Sequence, residues 1–161
     1  MRTSKNIIRL NTSHVEEWIA LRVNLYGDMA ETVNRNEIDG LLSKSSLNPQ
    51  TALVLGWSTE GHLEALLEMD IRTDHVPGSS FGLPVGYLEG IYVTPAFRRQ
   101  GIATKLFSEA EKWCKDNRIA QIGSDALIDN EIGLEVHAKL GFSEVERSVH
   151  FIKSEGENNG N

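Results

Sequence analysis

Residues 85–117 confine this chain more tightly than any other stretch. Val85 to Val93 reads as a strand, Thr94-Pro95 ends it, and Ala96-Phe97-Arg98-Arg99-Gln100-Gly101 makes a short basic turn. From about 101 to 117, Ile102, Leu106, Ala110 and Trp113 recur at helical spacing, with Ala103, Phe107 and Cys114 beside them. A strand that runs directly into an amphipathic helix must pack that helix back on its own sheet. The turn between them also has a chemical property. N–H groups at a helix start lack partners and the helix dipole favours an anion, while glycine and alanine let that anion reach the main chain. Arg98 and Arg99 add positive charge, so the geometry suits a diphosphate. It is not a Walker loop, which ends in Gly-Lys-Ser/Thr, nor a Gly-x-Gly-x-x-Gly turn.

The remaining pattern builds a sheet around this unit. Residues 5–10 read as a strand, and Ser13-His14-Val15-Glu16 has the form of a capping box opening a helix on which Val15, Trp18, Ile19, Arg22 and Leu25/Tyr26 share a stripe. A second helix, about 35–47, stops near Asn48-Pro49. Runs 51–58 and 63–72 flank Thr59-Glu60-Gly61-His62, a hairpin signal. In the second run Leu63, Ala65, Leu67, Met69 and Ile71 alternate with Glu64, Leu66, Glu68, Asp70 and Arg72, one core face and one acidic face. After a loop at 73–84 and the unit just described come a short run at 119–126, a helix at 130–140 and an extended run at 142–152. The order β-α-α-β-β-β-α-β-α-β predicts a mixed α+β fold, with antiparallel strands first and strand-helix alternation later. One domain, 1–153, is expected, with a disordered polar tail at 154–161.

Composition narrows the function. At 161 residues, 40% apolar and 24% charged, the chain is of ordinary globular make-up. No apolar run approaches the roughly 18 to 20 residues of a membrane span, and the first residues do not resemble a signal peptide, so the cytoplasm is expected. Cys114 is the single cysteine, placed in the core, and no Cys/His spacing resembles a zinc site, so no metal is expected. The net charge of −7 argues against nucleic acid or an anionic membrane as partner and suits a cationic one. That charge is uneven. Residues 60–90 carry −5 and 121–147 carry −4, and the +3 island at 91–120 lies between them.

Arg98-x-x-Gly101-x-Ala103, after Val93-x-Pro95, resembles motif A of the GNAT superfamily of acetyl-CoA-dependent N-acetyltransferases. Asn130 near a helix start and Gly141-Phe142 after that helix agree with it. Leu88-Glu89-Gly90-Ile91-Tyr92-Val93, Ser124-Asp125 and Val136-His137-x-x-Leu140-Gly141-Phe142-x-Glu144-x-Glu146-Arg147 are similar to the bacterial aminoglycoside 6'-N-acetyltransferases. The likeness runs from about residue 7 to 153 and is strongest after 85.

This resemblance implies a GNAT-like domain, a mostly antiparallel twisted sheet flanked by helices and splayed into a cofactor cleft. It implies acetyl-CoA as co-substrate and acetyl transfer to the 6'-amine of an aminoglycoside, conferring resistance, with a homodimer as a family expectation. The backbone of Ile91, Tyr92 and Val93 would pair with the pantetheine arm, the Ile91 N–H serving as oxyanion donor. Arg98, Arg99, Gln100, Gly101, Ile102, Ala103 and Thr104 would hold the pyrophosphate, and Asn130 would bond the cofactor arm. His137 stands where most members have a tyrosine that protonates the departing thiolate, and imidazole can serve there. Tyr26, His75, Glu89, Asp125 and Glu146 would receive the polycationic amine. Position 26 is usually tryptophan in that group and position 75 often tyrosine. Glu89 or Asp125, directly or through water, would take the ammonium proton. Two alternatives stay open: acetylation of another polyamine or a protein N-terminus, and an acetyl-CoA-binding module without catalysis.

Overall fold

The structure is a computed structural model and describes residues 6–27, 31–48 and 50–155. Five strands form one sheet in the order β1 (Ile7–Arg9), β2 (Ala52–Thr59), β3 (His62–Arg72), β4 (Val85–Val93) and β5 (Ile122–Ser124). The first three pairings are antiparallel, and β4 with β5 is parallel, as a strand-helix-strand connection requires. The β2–β3 turn places both Glu60 (φ 52°) and Gly61 (φ 85°) in the left-handed region, the geometry that matches hairpin twist.

Helices cover both faces. Helix α3 (Ile102–Asp116) lies on one, its Ile102, Leu106, Phe107, Ala110 and Trp113 packed on Leu53, Leu55, Leu67, Met69 and Leu88. Helices α1 (Val15–Tyr26) and α2 (Glu31–Leu47) cover the other through Trp18, Ile19, Leu21 and Ile38, which meet Val54, Leu63 and Leu66. Helix α4 (Glu131–Lys139) follows β5. No helix is long and apolar enough to cross a membrane among the described residues.

Three expectations change. The side of β3 bearing Leu66 and Glu68 is a second core, buried under α1 and α2, so the sheet has no solvent-facing acidic side there. The capping box sits at Asn11, not Ser13, and opens a 3-10 turn that leads into α1, whose own N-cap His14 makes no side-chain cap bond. The Asn11 side chain accepts from the Ser13 N–H while His14 Nδ1 accepts from the Asn11 N–H, closing that turn over Thr12–His14. Finally, residues 143–155 form no strand, because a strand needs a ladder partner and none of the described strands pairs with them. Lys5, Pro49 and 156–161, on which parts of the expected strand, helix stop and tail fall, lie outside the described residues.

Candidate active site

Strand β4 loses its neighbour halfway along. Gly86, Tyr87 and Leu88 pair with Ile122, Gly123 and Ser124, and β5 then ends. At that point β4 carries a bulge: Gly90 faces Glu68 and Leu88 faces Met69, leaving Glu89 as an extra residue. Beyond it the Thr94 N–H donates to Glu64 O (2.9 Å), so antiparallel alternation turns the Tyr92 peptide groups toward β3 and those of Val93 and Ile91 away from it. Residues 89–93 thus present backbone N–H and C=O groups along an open edge. The Val93 carbonyl accepts from Arg98 Nε (2.9 Å), whose guanidinium lies 5.5 Å from the Tyr92 ring centroid.

The turn after β4 ends at an uncapped helix. Gly101, the N-cap of α3, has no side chain to cap it, and among the described residues no side chain bonds the first-turn N–H groups. Arg99 (φ 61°) and Gly101 (φ 74°) are left-handed, with Gln100 between them at negative φ, an alternation that gathers backbone N–H groups into an anion-binding nest. Arg98, Arg99, Gln100, Gly101 and Thr104 are exposed and Ala103 half-buried, whereas Ile102 is core. An extended ligand with an anionic end fits this edge and turn.

On the opposite side of the β4 bulge, side chains from four elements converge. Helix α1 sends Trp18, Arg22 and Tyr26, each one turn apart, toward Glu68 of β3. Trp18 Nε1 donates to Glu68 Oε1 (2.6 Å) and Arg22 bonds both oxygens (2.7 and 2.8 Å). Arg22 is 3% exposed and Glu68 1%, with Glu37 completing the ion pairing of Arg22. Burial pushes the Glu68 carboxyl above the usual carboxylate range, and Arg22 and Trp18 oppose that rise. The Tyr26 hydroxyl donates to Glu89 O (2.9 Å) and lies 3.5 Å from Glu68 Oε2.

Nearer solvent, Arg72 bonds both oxygens of Glu89 (2.9 and 3.1 Å) and stacks 3.4 Å from the Tyr87 ring centroid. The Tyr87 hydroxyl donates to Asp125, and burial followed by that carboxylate raises the phenol pKa, so it stays a donor. Glu89, Arg72, Tyr87 and Asp125 therefore form one continuous polar surface. His75 lies apart on the 73–84 loop, its ring 6.4 Å from that of Phe81, and Glu146 is exposed on the 143–155 segment.

Helix α4 is tied to the end of β5, at the fork where β5 leaves β4. Asn130 caps it, Oδ1 accepting from the Gly133 N–H (3.0 Å) and leaving its amide NH2 for other partners. His137 Nδ1 lies 2.6 Å from Gly133 O, and Nε2 lies 2.7 Å from Ser124 Oγ, which in turn reaches Leu88 O (2.9 Å). A carbonyl can only accept, so Nδ1 carries a proton, and Nε2 faces the Ser124 hydroxyl at the fork. Among the described residues, no group of three His, Cys, Asp or Glu is placed to hold a metal ion.

The family model described as acetyltransferase (GNAT) family matches residues 16–142. The chain belongs to the GNAT acetyltransferase family. It is 37% identical over 151 residues to the aminoglycoside N(6')-acetyltransferase type 1 of Acinetobacter baumannii, covering 94% of this chain and 99% of that one. The apo crystal structure of the aminoglycoside antibiotic 6'-N-acetyltransferase of Acinetobacter haemolyticus superposes with a TM-score of 0.83 at 38% identity, covering 94% and 99%. AAC(6')-Iy in complex with the bisubstrate analogue CoA-S-monomethyl-acetylneamine superposes at 0.80 and 28% identity, covering 92% and 97%.

In this GNAT chain the predicted residues 91–104 fall on one edge and turn, and Tyr26, Glu89 and Asp125 on the facing side of the bulge. Arg72, Tyr87, Glu68, Arg22 and Ser124 carry no site role in the sequence pattern, although Ser124 belongs to the Ser124-Asp125 motif. Period-two spacing does place Glu68, Asp70 and Arg72 on one face of β3. What it lacks is the bulge, which decides their partners on β4.

Proposed function

We propose that this protein transfers the acetyl group of acetyl-CoA to the 6'-amine of aminoglycoside antibiotics, in the cytoplasm, and thereby confers resistance. The observation that carries the reading is the pairing of an open backbone edge and anion-binding turn with a carboxylate surface across the same bulge. Relatives named for this activity align over nearly their whole length. Acetyl-CoA supplies the thioester; its pyrophosphate fits the Arg98–Thr104 turn and its arm the 91–93 edge, with Asn130 bonding the arm. The aminoglycoside sits against Tyr26, Glu89 and Asp125, and His75 and Glu146 reach it from the flanking segments. Several carboxylates attract a polycation and form charge-assisted hydrogen bonds with it.

Glu89 or Asp125, directly or through water, takes the ammonium proton. The freed amine then attacks the thioester carbon in a ternary complex while the Ile91 N–H holds the developing oxyanion. The nitrogen gives up its second proton to solvent as the amide forms, the carbon–sulfur bond breaks, and the thiolate takes a proton delivered by His137 through the Ser124 hydroxyl, which solvent then replaces on His137. Thiol release from acetyl-CoA tests this with kanamycin, tobramycin, spermidine and a peptide panel, followed by mass spectrometry of the product. Aminoglycosides should turn over and be acetylated at the 6' position. Turnover of spermidine or peptides alone would replace the reading.

A homodimer belongs to the same proposal. Val145, Val149, Phe151 (92% exposed) and Ile152 (96%) stand out on one extended segment, and Phe107, Ile122, Leu140 and Phe142 line a groove beside β5. Large apolar side chains left in solvent beside an apolar groove suit a contact with a second copy of the chain. Sedimentation velocity should find twice the chain mass, reduced to one chain by Phe151→Glu with Ile152→Glu.

A further inference from the structure

Tyr26 ends α1, since Gly27 (φ 79°) turns the chain away and its N–H caps Val23 O. Its hydroxyl does not point outward to a ligand. It donates to the carbonyl of Glu89, the one β4 residue without a partner on β3. Gly90 makes that approach possible: a Cβ there would collide with the Tyr26 hydroxyl and meet Leu25 Cδ2 at 2.8 Å. The ring is backed by Arg22, whose guanidinium lies 5.0 Å from its centroid, and Arg22 is in turn locked on Glu68. Glu68 pairs across the sheet with Gly90, so hydroxyl, bulge and buried ion pair form a closed circuit around one peptide unit.

We propose that Tyr26 is a positioning residue: its hydroxyl holds the β4 bulge, and the buried Arg22–Glu68 pair holds Tyr26, so that α1 fixes where the Ile91 amide points. A bulge bends and twists a strand locally, and an unpinned one can relax toward other geometries. An oxyanion donor acts through its fixed direction, so the end of α1 governs turnover without touching the acetyl group. The catalytic half of the inference rests on the acetyl-transfer reading above; the structural half does not.

Tyr26→Phe separates this role from contact with a sugar, because phenylalanine keeps the ring and loses only the hydroxyl. Amide exchange followed by NMR on the protein without substrates should quicken severalfold at Gly90 and Tyr92, whose peptides face β3. With an aminoglycoside, kcat should fall about tenfold while KM stays within about twofold, a smaller loss than deleting an oxyanion donor outright. Adding Glu68→Gln to Tyr26→Phe should quicken exchange little beyond the greater single effect, as members of one circuit do. Unchanged exchange at Gly90 and Tyr92 would overturn the inference. So would a rise in KM at constant kcat, which assigns Tyr26 to the acceptor itself. If no aminoglycoside turns over with the unaltered protein, the functional reading fails, and the exchange measurement still decides whether Tyr26 pins the bulge.

Discussion

The two sides of the β4 bulge are built from different materials. Toward α3, the site is backbone: an open strand edge, two left-handed residues and an uncapped helix start, with exposed arginines around them. Toward α1, it is side chain: Arg22, Glu68, Arg72, Glu89, Tyr87 and Asp125, most of them already paired with one another. A backbone site keeps its shape whatever the neighbouring side chains are, and needs only residues that tolerate the turn. A side-chain site made of charges must be paired before its ligand arrives, since burying an unpaired ion costs several kcal/mol. The first design suits a ligand common to a whole family, and the second a ligand particular to one branch of it.

Substitutions can break this contrast in order of size. Arg22→Leu strands a buried carboxylate and should cost about 3 to 5 kcal/mol, read from urea unfolding. A loss below about 1 kcal/mol would mean that packing, not the ion pair, supports the acceptor side. Glu89→Gln and Asp125→Asn should each slow aminoglycoside turnover, by about a hundredfold for the one that is the base, while acetyl-CoA affinity measured by calorimetry stays nearly unchanged. An equal fall in cofactor affinity would erase the division between the two sides. Arg98→Ala is the mirror experiment, weakening acetyl-CoA by about fivefold, as suits an exposed charge, and leaving the aminoglycoside KM alone.

A separate check lies at Cys114, packed against Met69 in the core under α3. Burial pushes its thiol from 9.0 up to about 11, so the folded protein should resist alkylation at neutral pH. The unfolded thiol ionises first. Stability from this group is therefore complete below pH 9 and lost as pH rises from 9 toward 11, which a urea titration at those two pH values measures.

The contrast also explains what could be read from the chain. Val85 to Val93 and the helix after it were legible because the strand, the turn and the helical stripe are each local, and the observed limits of β4 match the sequence pattern. Glu89 and Asp125 came from resemblance. Their partners Arg72 and Tyr87 did not, because a bulge shifts register by one residue and leaves no compositional mark. Glu68 was misread for a related reason: alternation separates the two faces of β3 but cannot say that helices cover both. The segment 142–152 looked like a strand because its residues favour extension. Extension becomes a strand only beside a partner, and that information is not local.

The extra residue in β4 has a genetic consequence. Deleting Glu89 would let Leu88 and Gly90 face Met69 and Glu68 in an uninterrupted ladder, with no side chain needing to change faces. Such a chain should fold at least as readily as its parent and lose the irregularity around which its chemistry is arranged. On the proposed activity, a single in-frame codon deletion would then disable the protein while leaving its abundance intact, so that gene presence and protein level would both misreport acetyl transfer in the cell.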